Sequence, residues 1–183
     1  MRSLGPFIFP MVILVAGGAS LFAQTPASKP KSPVTREPFT LRLKIDNDHY
    51  QEFRYDKQPY VSENEVYLFS GDKFGVNLIV KGDRVVEVRY QPDKNKADVW
   101  FGFEQPKELQ NGIAMALTID NKMKRGVSME GLGSIPGQKD PIKTSIRSVE
   151  AGKSGLELWP HPIVQLVMGN LQLTPQGSDQ PKK

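Results

Sequence analysis

The chain has 183 residues, 38% of them hydrophobic, and no cysteine, which excludes disulfides, thiolate metal centres, a cysteine nucleophile and a lipid-modified cysteine. Its 24 Lys and Arg against 20 Asp and Glu leave a formal net charge of +4, too small and too scattered along the sequence to mark a nucleic-acid surface. No asparagine lies in an Asn-x-Ser/Thr sequon, and the lack of both bridges and sequons fits an exported bacterial protein better than a eukaryotic one.

Arg2 precedes Leu4 to Ala23, a stretch without one charged side chain, in which Pro6 to Ala16 is strongly apolar and Gly17, Gly18, Ala19, Ser20 and Ala23 are small. A positive start, a short apolar core and a small-residue exit are the pattern of a secretory signal peptide over 1–23, cleaved after Ala23. The rival is an uncleaved anchor, against which Pro6, Pro10, Gly17 and Gly18 count as poor helix formers. Either way the rest is expected outside the cytoplasm, secreted or periplasmic, because Arg2 holds the N-terminus inside.

Residues 24–38 (QTPASKPKSPVTREP) are rich in proline and almost free of apolar side chains. That composition predicts a flexible or polyproline-like tether, and 175–183 reads as a similar tail. Between them 39–174 is one domain's worth of chain, large enough to build a core without staples.

Alternation dominates that domain. In FTLRLKI, Phe39, Leu41, Leu43 and Ile45 share a phase, and the pattern recurs at Phe74-Val76-Leu78-Val80, Val86-Val88-Tyr90, Val99-Phe101-Phe103 and Ile113-Met115-Leu117-Ile119. Turn residues separate the runs, so the expected fold is all-β: an antiparallel β-sandwich of Ig-like or jelly-roll-like architecture. At Lys81-Gly82-Asp83 a two-residue loop would set Leu78 opposite Glu87. A three-residue loop pairs Leu78 with Val86 and Val76 with Val88, and is the expected register.

Val127 to Pro141 is glycine-rich and reads as a long excursion or irregular edge. Ile142 to Glu150 is a weaker strand, and Leu156 and Leu158 alternate before Pro160 and Pro162 force a corner. In the last run Val164, Leu166 and Met168 hold one phase and Leu171 and Leu173 the other, with Gly169 at the change, as a bulged strand requires. One helical turn is expected at Pro106 to Gln110.

Catalytic constellations are missing from this pattern. His49 lies in Asp46-Asn47-Asp48-His49, a turn that fails the calcium-loop spacing. His161 sits between two prolines, at an expected exposed corner. Ser134 in Gly133-Ser134-Ile135-Pro136-Gly137 misses the serine-nucleophile spacing, and Gly131-Leu132-Gly133 lacks the third glycine of a dinucleotide fingerprint and reads as a loop. Glu63 and Glu65, two apart on one strand, read as a solvated face rather than a glycosidase pair. Neither catalytic residues nor metal ligands nor a cofactor are assigned.

The clue that remains is apolar side chains out of phase with the core. Tyr67, Ile79 and Trp100 fall on the far face of their strands, and together they would form an exposed binding patch. A loop covering them is the competing explanation, supported by Phe69, which shares the phase of Tyr67. Trp159 is expected to plug the end of the sandwich. The functional expectation is a tethered, exported, non-enzymatic module that binds a cell-envelope protein or polysaccharide. It would bind no nucleic acid and, beyond the signal segment, no membrane. The alternatives are a structural domain assembling through an edge strand and, third, a hydrolase.

Overall fold

Strand follows strand along the chain because its apolar residues recur at period two, which an extended backbone sends to one face and a helix would scatter. The computed structural model describes residues 32–46, 48–106 and 115–175, and among these it contains strands and no helix. In order they are β1 (Thr35–Arg36), β2 (Phe39–Lys44), β3 (Tyr50–Tyr55), β4 (Gln58–Pro59), β5 (Val61–Ser62), β6 (Glu65–Phe69) and β7 (Asp72–Lys81). They continue as β8 (Arg84–Gln91), β9 (Val99–Glu104), β10 (Met115–Asn121), β11 (Val127–Ser134), β12 (Ile142–Thr144), β13 (Ser154–Trp159) and β14 (Gln165–Leu173). The signal segment 1–23, most of the tether, the tail beyond Pro175 and the helical turn expected after Pro106 lie outside the described residues.

Two five-stranded antiparallel sheets form the body, ordered β13-β10-β9-β7-β8 and β12-β11-β14-β6-β5. Phe74, Val76 and Leu78 of β7, Phe101 and Phe103 of β9, and Leu117 and Ile119 of β10 line the inside of the first. Val66, Leu68, Met129, Leu166 and Met168 meet them from the second. Trp159 is buried at the side of this core, edge-on to Phe103 with ring centroids 6.4 Å apart, and its indole N–H donates to Thr144 Oγ1 at 2.6 Å.

The β7–β8 hairpin corrects the expected register. Lys81 pairs with Arg84 around a two-residue Gly82-Asp83 turn, with Gly82 at φ 60°, a conformation glycine adopts without strain. The strand then shifts by one residue, so Ile79 faces Glu87, Leu78 faces Val88 and Val76 faces Tyr90. Apolar pairing is preserved, but by a bulge that leaves Val86 exposed rather than by a longer loop. The bulge expected near Gly169 is present: β14 carries an extra residue between the pairs Glu130–Gly169 and Ser128–Gln172, with Asn170 at φ 51°. Leu171 and Leu173 therefore rejoin Leu166 and Met168 in the core, whereas Val164 packs outside it.

The glycine-rich segment is also corrected. Val127–Ser134 is β11, paired on both sides by β12 and β14, and Gly131 and Gly133 lie within the strand. At Gly131 a Cβ would come within 2.7 Å of Thr144 Cγ2 and 2.9 Å of Ile146 Cδ1, so glycine there admits close packing rather than marking a loop.

The largest departure is at the N-terminal side. FTLRLKI is not a sandwich strand. Residues Thr35–Lys44 and Tyr50–Pro59 keep one antiparallel register throughout, from Thr35 opposite Pro59 to Lys44 opposite Tyr50. They form a long arm, interrupted where Pro38 lacks an amide donor. Leu41, Leu43 and the flanking Phe39 and Phe53 cover Phe69 and Val164 on the outer face of the second sheet. Residues 32–38, expected in the tether, therefore belong to the folded unit. Arg36 fixes them: it is 7% exposed, donates to the carbonyls of Pro59 and Tyr67 and to the Asp72 carboxylate, and its guanidinium lies 4.0 Å from the Tyr60 ring centroid.

Candidate binding face

Tyr67, Ile79 and Trp100 each point away from the core, as their phase predicts, but they do not form one patch. Tyr67 is on β6 in the second sheet, and Ile79 and Trp100 are on β7 and β9 in the first, so the sandwich stands between them. Ile79 is four residues along β7 from Gly75, the partner of Trp100, or about 13 Å at the rise of a strand. Tyr67 is half-buried beside the arm, and its hydroxyl donates to Glu65 Oε2 at 2.8 Å. Burial first, and the Glu65 carboxylate second, push its phenol up to about 12.

Trp100 alone keeps a site around it. Strands β8 and β9 both run antiparallel to β7 on its two sides, so the 92–98 connection has to cross β7. It crosses on the outside, at Gly75: a Cβ there would lie 2.4 Å from Ala97 Cβ and 2.8 Å from the Val99 carbonyl. Asp98 anchors the crossing, its amide donating to Val76 O and its carboxylate accepting from Leu78 N at 2.9 Å. From this loop Lys94 reaches Asp120 at 2.8 Å, with its ammonium 5.8 Å from the Trp100 ring centroid. Ser154 Oγ donates to the same carboxylate. The Lys94 hydrogen bond, with help from Ser154, holds Asp120 below the ordinary carboxylate range.

Cross-strand register places the rest of the face. Trp100 lies opposite Asp120, and in the next row Gly102 and Leu156 flank Thr118. Gly102 has no room for a side chain, since a Cβ would lie 2.6 Å from Thr118 Oγ1. The result is a low floor of Gly102 and Thr118 between a half-exposed indole and a ridge of Leu156 and Leu158, which are 51% and 53% exposed. An indole face takes up the C–H side of a sugar ring, and the Asp120–Lys94 pair at its edge offers an acceptor and a donor for hydroxyl groups. The sequence reading missed Lys94, Asp120 and both leucines. The one available signal was Trp159, whose phase turns Leu156 and Leu158 outward once the indole is buried.

The other candidates resolve into structure. His49 closes the arm's turn, its ring 2.7 Å from Asp46 and largely exposed. Asp46 is lowered first by the Asp48 amide and then by His49. Asn47 of that turn lies outside the described residues. His161 is not the exposed corner expected: it is half-buried, and its Nε2 has no hydrogen-bond partner among the described residues. Glu63 is not on a strand with Glu65 but in the β5–β6 turn, where Glu63 and Asn64 have φ 52° and 66°. Asn64 serves the fold, its carbonyl accepting from Val88 N of the edge strand at 2.9 Å. Among the described residues no three His, Asp or Glu side chains gather as a metal site.

No protein-family model, no curated protein and no solved structure matches this chain.

Proposed function

We propose that this is an exported, non-catalytic binding module, secreted or periplasmic, that takes up a cell-envelope polysaccharide on the outer face of its first sheet. The observation that carries the reading is Trp100: half-exposed, beside a floor kept low by Gly102, with Asp120 and Lys94 at its edge. A signal peptide over 1–23 and a tether reaching Lys31 complete the proposal. An Ig-like or jelly-roll-like architecture is supported by the changes of sheet at β6–β7, β10–β11, β12–β13 and β13–β14.

Tryptophan emission tests it, because the chain has two tryptophans and Trp159 is buried. Soluble envelope polysaccharides should change the Trp100 emission, and Trp100→Ala should lower affinity about tenfold or more, as a central aromatic anchor does. Unchanged emission across a broad panel would sink the reading. The second reading, assembly through an edge, is favoured by Leu156 and Leu158 lying exposed on the edge strand β13. It predicts a sedimentation coefficient that rises with concentration and falls back in Leu158→Lys; a monomer at every concentration removes it.

A further inference from the structure

The net charge of this chain is modest, but the fold gathers it. Three segments meet at one end of the sandwich: the β7–β8 tip (81–84), the β10–β11 loop (122–126) and the turn before β13 (150–153). Asn121 Nδ2 donates to the carbonyls of Arg125, Val149 and Glu150, the Gly152 amide donates to Met123 O, and Arg125 reaches Asp83 at 2.7 Å. These bonds hold the loops together as one platform. It carries Lys81, Arg84, Lys122, Lys124, Arg125 and Lys153 against only Asp83 and Glu150. That excess of four positive charges equals the formal net charge of the entire chain, so the remainder is balanced. Lys81, Arg84, Lys124 and Lys153 are exposed and have no carboxylate partner among the described residues.

The same end is where the described chain starts and stops. Strand β1 runs antiparallel to β4, with the Tyr60 amide donating to Val34 O, so stepping back from Thr35 toward Ser32 leads to the β5–β6 turn. That turn is bound to Val86 and Val88, next to the β7–β8 tip. At the other terminus Thr174 is held by Gly126 and by the Arg125 guanidinium. The first and last described residues therefore both lie beside the platform.

We propose that this basic end is a docking surface for an anionic phospholipid headgroup layer. Charge complementarity selects that occupant: an exported protein works beside the anionic headgroups of an envelope membrane, and the cations Lys81, Arg84, Lys124 and Lys153, unpaired among the described residues, lie together at one end. Clustered Lys and Arg next to such a surface each add to attraction, which decays within a Debye length and so weakens with salt.

The test is co-sedimentation of the full chain with phosphatidylcholine vesicles with and without phosphatidylglycerol. We expect binding at low salt to be about tenfold or more stronger with the anionic lipid, to fall away as salt is raised, and to be lost in Lys81→Glu/Arg84→Glu/Lys124→Glu. Lys139→Glu, in the β11–β12 connection at the opposite end, should leave it unchanged. All four positions are exposed, and unaltered circular dichroism of each variant shows that folding is not the cause. Equal binding to both vesicles, or anionic binding indifferent to the triple reversal, overturns the proposal. So does a soluble polyanion, duplex DNA or polyuronate, that binds this end while anionic vesicles do not.

Discussion

Phe101, at the centre of the sandwich, is fully buried in the core shared by both sheets, whereas the arm of residues 35–59 touches the body over Phe69 and Val164, through one buried guanidinium, and at Lys44, whose amide donates to and whose carbonyl accepts from the Gln105 side chain. Both regions alternate with the same period, and both bury aromatic rings. In the body every apolar row is shared with another, so loss at one position is felt by the whole core. In the arm, Phe39, Tyr55 and Phe69 make a small aromatic group, and the entry strand β1 contributes only two paired residues. A region held by few apolar contacts, one ion pair and a pair of side-chain hydrogen bonds is expected to open locally, ahead of the rest.

Breaking the body should cost most. We expect Phe101→Ala to lower stability by about 3–5 kcal/mol, as large-to-small changes in a packed core do, with all strands lost in one transition in a denaturant titration. Arg36→Ala should cost about 3 kcal/mol, because it leaves the largely buried Asp72 carboxylate without its counter-ion, with only the Phe69 amide among the described residues donating to it, and takes a donor from two carbonyls. Its signature differs: amide exchange should accelerate over 35–59 while the sandwich strands stay protected. Exchange rising equally everywhere would show that the arm and body are one cooperative unit.

Gly75→Ala should cost about 1–3 kcal/mol, since the new Cβ meets Ala97 and the Val99 carbonyl. It acts at the crossing loop, so Trp100 emission should shift along with the melting temperature. The smallest effect is one of pH. The Tyr67 phenol is raised from 10.0 to about 12 in the folded chain. Its neutral form is the one the fold favours, so the contribution is intact below pH 10 and is lost as pH climbs toward about 12. Alkaline melting of the wild type and Tyr67→Phe should diverge only in that window; parallel curves would contradict it.

The inward faces of β7, β9 and β10 were legible because Phe74-Val76-Leu78, Val99-Phe101-Phe103 and Met115-Leu117-Ile119 alternate without interruption. The glycine-rich strand was not. β11 reads as a loop in sequence because Gly131 and Gly133 serve close packing, a need that exists only once Thr144, Ile146 and Ile163 are placed beside them. The candidate site was half legible. Phase put Trp100 on an outer face, but could not tell that Tyr67 would lie across the sandwich or that Lys94 would be carried over β7 to Asp120.

Period and turn chemistry, both local, determined that this chain makes antiparallel strands, which residues of β7, β9 and β10 share the inner face, and that β14 is bulged at Gly169; the two-residue turn at Gly82-Asp83 and the bulge that turns Val86 outward were decided by the fold. Which face meets which was decided only by the tertiary structure, because FTLRLKI buries its apolar side equally well inside a sandwich or over Phe69. The same holds for charge. Lysines and arginines from segments far apart in the sequence become a surface when hydrogen bonds from Asn121 and Arg125 bring three distant loops together, and electrostatic potential depends on distance in space rather than along the chain.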